Sequence, residues 1–263
     1  MDPLLPLITN LNADGRPRVW SLVITAFGDL VQHRGGRVQT VRLNQLLGRV
    51  GIESGALRTA LSRLSRDGWV EGRKTGRTSS YKLTPSGVQE FGPATARIYA
   101  PPRKSPVQTW CFSLADAPGA LRVAGGWLHI NGAVSSKGFE ITGTLGKHSG
   151  TAIWDGLATE HKEALNRLAL DLLALTNADL PLIDAAAARI LLIHRWRRIV
   201  LRYPEVPAEF FPKDFPVQAL HQQVAATYHR LTPQTETWLD TAAGEMPAMP
   251  SAKTAQANRF GLS

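Results

Sequence analysis

The hydrophobic pattern is sharpest between Glu53 and Arg66 (ESGALRTALSRLSR). There Leu57, Ala60, Leu61 and Leu64 fall at i, i+3, i+4 and i+7 and predict a helix with one buried face. The opposite face carries Gly55, Thr59, Ser62 and Arg66, flanked by Arg58 and Arg63. Small residues permit close approach, hydroxyls and guanidiniums reach phosphates, and guanidiniums also reach guanine edges. A helix divided in this way has what entry into a DNA groove requires.

The neighbouring patterns complete a larger unit. From Arg18 to Gln32 apolar residues cover more than one face, which predicts a buried first helix ending near Arg34-Gly35-Gly36. Val41, Leu43, Leu46, Leu47 and Val50 predict a second helix capped by Thr40, and Gly51-Ile52-Glu53-Ser54 turns into the third, with Ser54 as its cap. Gly68 is placed to end that helix in the left-handed conformation. Trp69 to Arg73 and Ser79 to Leu83 then read as the strands of a hairpin whose tip is Lys74 to Thr78, with Gly76 in the turn. Arg73, Lys74 and Arg77 direct cations at a DNA backbone or minor groove, and Thr78, Ser79 and Tyr81 complete the candidate DNA-binding set. Helix, helix, turn, helix, hairpin is the order of a winged helix-turn-helix.

The remaining segments give an α+β chain. Residues 1–17 read as an irregular N-terminal arm, 18–99 as the winged-helix domain and the Pro- and cation-rich 100–106 as a linker. Thr109 to Leu114, Gly126 to Ile130 and Gly138 to Thr144 predict strands of a small middle α+β domain over 107–150. A helical domain follows over 151–239, with helices at Thr159 to Thr176, Leu182 to Tyr203 and Val217 to Leu231. The Ala, Pro, Gly and Ser content of 240–263 predicts a disordered tail.

Charge sharpens this picture. The formal net charge is +9, and most of the excess lies in residues 1–100, which suits an anionic partner. Cys111 is the only cysteine, so no intrachain disulfide and no cysteine-built zinc site is available. The N-terminus lacks a signal-peptide pattern, and no apolar run reaches the roughly 18 residues of a membrane helix; a cytoplasmic protein without a membrane partner is expected. A nucleophile elbow, a phosphate-binding Gly loop and a His/Glu metal motif are all missing, and His129, His148, His161, His194, His221 and His229 are scattered. Asp116 and His129, beside the middle sheet, supply the alternative of a metal-dependent nuclease.

A second constellation lies between His194 and Pro204. Arg195, Arg198 and Arg202 share a helix face beside His194, Trp196 and Arg197. Such a face can bind phosphates bidentately while Trp196 stacks on a planar ring, or it can be an ion-paired contact between domains.

Several of these stretches together resemble the PaaX-type repressors of phenylacetic acid degradation. They are Ser21 to Gly36, Leu57 to Leu64, Asp67-Gly68-Trp69, Gly76 to Thr84 and Arg97-Ile98-Tyr99. Arg195 to Pro204, followed by Val206-Pro207 and Phe210-Phe211-Pro212, looks like that family's C-terminal signature. The resemblance implies a repressor that is not an enzyme, binds double-stranded operator DNA as a homodimer and needs no cofactor or metal. It implies release by a small-molecule effector, an aryl-coenzyme A thioester such as phenylacetyl-coenzyme A, with His194, Arg195, Trp196, Arg197, Arg198 and Arg202 as the effector-binding candidates. It also implies a ferredoxin-like middle domain used for dimerisation; Val107 to Gly150 is short for the complete form, so a reduced one is expected.

Overall fold

The computed structural model describes residues 2–13, 15, 17–116, 119–123, 125–130, 139–146, 149–244, 246–252 and 258–261. Its N-terminal part begins with α1 (Leu5–Ala13) and α2 (Val19–Ala26), the latter running into a π-helical turn, Phe27–Val31. Every residue from Ser21 to Val31 is buried, as an element apolar on all sides must be. The wide turn also brings α5 (Pro85–Ile98) close: a Cβ on Gly28 would lie 2.3 Å from the Phe91 ring.

Between them come β1 (Arg37–Gln39), α3 (Thr40–Arg49), α4 (Ser54–Arg66), β2 (Val70–Thr75) and β3 (Thr78–Leu83). The three strands form an antiparallel sheet in the order β1-β3-β2, with Val38 opposite Tyr81 and Gly72 opposite Tyr81 on the other side. This is the expected winged helix-turn-helix order, with β1 added.

The middle sheet is also antiparallel, in the order β5-β6-β4-β7: β4 (Trp110–Ser113), β5 (Leu121–Val123), β6 (Gly126–Ile130) and β7 (Glu140–Gly143). Trp110, Leu121 and Leu128 form a small core with Ile153 of α6 (Ser149–Asp155), Leu157 and Phe210, the Trp110 and Phe210 rings stacking at 4.7 Å. The rest is α7 (Thr159–Leu175), α8 (Leu182–Arg202) and α9 (Leu220–Asp240). Pro233 lies inside α9, yet Thr235, Trp238 and Leu239 continue its buried face. Their packing outweighs the roughly 3 kcal/mol that an interior proline costs, and the helix extends well beyond the expected Leu231.

Three expectations are corrected. The N-terminal arm is not irregular, because Leu4, Leu7 and Leu11 are buried on one side of α1 against the main core. The segment after 239 is not, over its described residues, a free tail: Met246, Met249, Arg259 and Phe260 are buried, while 245, 253–257, 262 and 263 lie outside the described residues. Arg42 fastens it by donating to the carbonyls of Trp238, Thr241 and Pro247 at 2.7–2.8 Å, and Arg34 donates to that of Pro250 at 3.2 Å. Finally, the winged helix and the C-terminal helices do not keep separate cores. Ala185 to Ala188 give α8 a shallow surface, and Ile190, Leu191, Leu231 and Leu239 join Leu22, Phe27, Leu46 and Leu61 in one cluster. Small side chains let α2 and α3 approach α8 closely, so the winged unit rests directly on the helical bundle.

Candidate functional site

The third helix of the winged unit, α4, is built as its spacing predicts. Leu57, Ala60, Leu61 and Leu64 are 1–6% exposed, and each buried leucine contributes about 1.5–3 kcal/mol to holding the helix on its core. Glu53, with extended backbone, occupies the cap position, and no side-chain cap bond forms. Ser54 is therefore the first helical residue rather than the cap. Thr40 likewise does not cap α3; its hydroxyl donates to Ser79 O at 3.0 Å and lies 2.7 Å from Ser79 Oγ. At the other end of α4, Gly68 has φ +77°, Trp69 N–H donates to Leu64 O at 2.8 Å and Gly68 N–H to Ser65 O at 3.2 Å. This is a Schellman stop, and it turns the chain straight into β2.

The face away from the core is open. Ser54, Gly55, Arg58, Thr59, Ser62, Arg63 and Arg66 are all exposed. Arg63 and Arg66 lie 3.5 and 3.7 Å from the exposed carboxylate of Asp67. Surface pairs of this kind are worth about 0–1 kcal/mol, so a DNA phosphate can displace them. Thr59 Oγ1 donates to Gly55 O at 3.1 Å and retains acceptor capacity.

The wing turns at Gly76 (φ +60°) and Arg77, a two-residue loop with positive φ only at its first position, as in a type II′ turn. Arg73, Lys74 and Arg77 are exposed on the hairpin that follows α4 directly in the chain. Thr78, Ser79 and Tyr81 are half-buried and brace the hairpin: Thr78 donates to Thr75 O at 2.9 Å, Ser79 meets Thr40, and the Tyr81 ring covers Gly72. Arg37 on β1, which the sequence reading passed over, donates to Ser80 Oγ at 3.2 Å and pairs in register with Lys82. No strand pattern could reveal it, because β1 is three residues long. Part of the N-terminal cationic excess, by contrast, is internal. Arg34 is tied to Glu236 and Asp240, and Arg49 to Asp2 and Asp184.

Within the His194 to Arg202 segment Trp196 stands apart. It is buried away from the cleft that its neighbours line, which corrects its assignment to an effector. His194 and Arg195, also buried and held by protein partners, reach the wall of that cleft beside Arg197, Arg198 and Arg202. Burial and the neighbouring guanidiniums push His194 down to about 3, so its ring is neutral. Thr25 Oγ1 donates to Ser21 O, so the imidazole donates through Nδ1 to that hydroxyl at 3.1 Å. Arg195 is paired with Asp171; Trp196 Nε1 donates to Ile98 O at 2.7 Å, and its ring, buried and packed on His221 at 4.8 Å, is not open to a ligand.

Arg197, Arg198 and Arg202 face a cleft of about 630 Å³ between the start of α2, α7 and α8. Arg18 and Arg167 line it too, Trp20 and Tyr203 supply aromatic walls, and Glu160 and Glu163 lie on the α7 side. Tyr203 is held flat against His161, ring centroids 4.3 Å apart. Burial lowers Arg197 to about 10 and also lowers Arg198. Arg18, Trp20 and Arg167 escaped notice in the sequence because Arg18 and Trp20 open α2 and Arg167 stands on α7, both far along the chain from α8, and only the packing brings them together. The nuclease alternative finds no assembly: His129 is buried 3.1 Å from Ser113 Oγ, Asp116 is exposed, and the described residues contain no group of three His, Cys, Asp or Glu that could hold a metal. His148 lies outside the described residues.

Comparison with known proteins places these features. Residues 18–87 match the family model described as PaaX-like protein, and residues 154–241 match that of the PaaX-like protein C-terminal domain. The first covers α2 to β3 and the second all of α7 to α9; the β4–β7 sheet lies between them. The transcriptional repressor PaaX of Escherichia coli (strain K12) is 27% identical over 274 residues, covering 87% of this chain and 86% of that protein. Two matched segments in the same order, and a relative aligned along nearly the whole length, show that the chain belongs to the PaaX family.

Proposed function

We propose that this protein is a transcriptional repressor that binds operator DNA as a homodimer and leaves it when an aryl-coenzyme A thioester occupies the cleft. The observation that carries the reading is the exposed face of α4. Its hydroxyls and guanidiniums point outward and its leucines inward, with three wing cations alongside. Each subunit inserts Ser54 to Arg66 into a major groove, and Arg73, Lys74 and Arg77 hold the adjacent backbone. The middle sheet, taken as a reduced ferredoxin-like domain, pairs two copies so that their recognition helices meet half-sites about one or more helical turns apart. Such a repressor works in the cytoplasm, where its operator is.

The cleft supports the effector half of the reading. Arg18, Arg198 and Arg202 offer guanidiniums to the phosphates of coenzyme A, and Trp20 and Tyr203, rather than Trp196, offer faces to an aryl ring. The test is a gel shift on the DNA upstream of the protein's own gene, with and without a panel of aryl-coenzyme A thioesters. Retardation by the protein and its reversal by phenylacetyl-coenzyme A are expected. Unretarded DNA overturns the repressor reading, and retardation indifferent to every thioester overturns the effector.

A further inference from the structure

The cleft and the DNA-binding helices share one contact that suits a switch. Arg197 on α8 reaches across to α2, where its Nη2 donates to both the carbonyl (3.2 Å) and the hydroxyl of Ser21. The arginine is half-buried and, among the described residues, has no carboxylate at ion-pair distance; its Nε is buried without a hydrogen-bond partner. A guanidinium in that position is poorly served: it has lost water and gained only neutral acceptors. It also lines the cleft beside Arg198 and Arg202. Any anion entering there gains more from Arg197 than from an exposed arginine, because charges attract more strongly where water is excluded.

Ser21 is equally well placed on its side. It belongs to α2, the helix against which α4 packs, and Arg18 at the start of the same helix lines the cleft. The Ser21 carbonyl also accepts from Thr25, whose hydroxyl meets His194, so the pairs Arg197–Ser21 and His194–Thr25 together tie α8 to α2. Losing Arg197 leaves Ser21 O still bonded to Thr25, with no new orphaned acceptor.

We propose that Arg197 reports occupancy of the cleft to the DNA-binding helices, exchanging Ser21 on α2 for a ligand phosphate and so loosening the seat of α4. The inference rests on the cleft being the effector site. Its energetics are those of any switch: the ligand shifts the equilibrium only by binding the state with Arg197 turned into the cleft more tightly than the state with Arg197 on Ser21. Arg197 therefore differs in kind from Arg202, which lines the same cleft from the exposed end of α8 and has no tie to α2.

The experiment uses the full chain, with phenylacetyl-coenzyme A as the probe. Binding is measured by calorimetry, and operator release at saturating probe is expressed relative to each variant's own ligand-free affinity. Arg202→Met should weaken probe binding about tenfold but release the operator as fully as the unaltered protein once saturated. Arg197→Met should weaken binding at least as much and release less than a third as much DNA at saturation. Ser21→Ala, a small change that spares the arginine should Arg197→Met fail to fold, should bind the probe at least as tightly as the unaltered protein and still release less. Opposite effects on probe affinity with the same loss of release are not what general damage produces. Full release by saturated Arg197→Met or Ser21→Ala overturns the coupling and leaves the effector site standing. Absence of probe binding to the unaltered protein overturns the site and the coupling together.

Discussion

Arg259 and Asp29 meet in the protein interior from opposite ends of the chain. Arg259 Nη1 donates to Asp29 Oδ1 at 3.0 Å and to the Asp29 carbonyl at 2.8 Å, while Nη2 donates to Gly28 O at 2.9 Å. The carboxylate also accepts from Arg189 Nε (2.9 Å) and the Tyr99 hydroxyl (2.7 Å), and Arg259 lies over the Tyr99 ring. Burial raises Tyr99 well above its ordinary range, so the hydroxyl keeps its proton and donates. The π-helical turn makes this possible, because its irregular spacing presents the Gly28 and Asp29 carbonyls to the C-terminal arginine.

Arg259→Met should therefore destabilise the whole protein rather than its terminus alone. Removing one partner from a buried ion pair costs about 3–5 kcal/mol, and the low end applies here because Arg189 and Tyr99 remain on Asp29. Urea unfolding is the measurement; a change within about 0.5 kcal/mol, the range of an ordinary surface substitution, would show that the segment is dispensable.

Arg58→Ala and Arg63→Ala should each weaken operator binding by about 1–3 kcal/mol if they meet base edges, with unfolding midpoints unmoved because both side chains are exposed. Titration of a labelled operator distinguishes the outcomes. Affinity unchanged in both variants would remove α4 from the groove.

The wing makes a different claim. Arg73, Lys74 and Arg77 are exposed cations on a hairpin with no base-reading geometry of its own, so replacing each by Ala should weaken specific and non-specific DNA alike. The slope of log affinity against log salt should fall by about 1 per cation removed. A slope that does not change would mean that the wing points away from the duplex.

Much of this was legible along the chain, and the failures have a common cause. The α4 stripe, the Gly68 stop and the cationic hairpin are local patterns, encoded within a few residues of where they act. Trp196 stands off the cleft that the other five candidates line, because a helix-face argument knows spacing but not partners. The Ile98 carbonyl, distant in sequence, holds it, as Asp171 and Thr25 hold Arg195 and His194 at the cleft wall. The C-terminal segment misled for the same reason: its composition is that of a loose tail, whereas Arg42 and Asp29, far away, supply its anchorage. The cleft, gathered from three elements, has no sequence signature at all.

Trp196 offers a direct check on that correction. Trp196→Phe deletes the bond to Ile98 O and leaves a buried carbonyl without that donor, which should cost about 1–3 kcal/mol of stability. Affinity for phenylacetyl-coenzyme A should stay within about twofold of the unaltered protein, less than the 1.4 kcal/mol of a tenfold change. The opposite pattern, stability kept and ligand affinity lost, would return Trp196 to the effector site.

Acid should reveal the buried histidines. His161, stacked on Tyr203 with Nε2 buried and unbonded, is lowered by burial from 6.5 to about 4. A depressed histidine binds its proton more readily in the unfolded chain. Its neutral form therefore contributes stability that is fully present above pH 6.5, declines as pH falls, and levels off once the folded value near 4 is passed. Between those limits the loss is on the order of 2 kcal/mol. His161→Phe keeps a ring against Tyr203 and removes the titration, so its unfolding free energy should fall less than that of the unaltered protein between pH 6.5 and 4. Carboxylates titrating in the same range act equally on both proteins, and the difference between the two curves isolates His161. Parallel curves would mean that the imidazole reaches water and accepts its proton in the folded state.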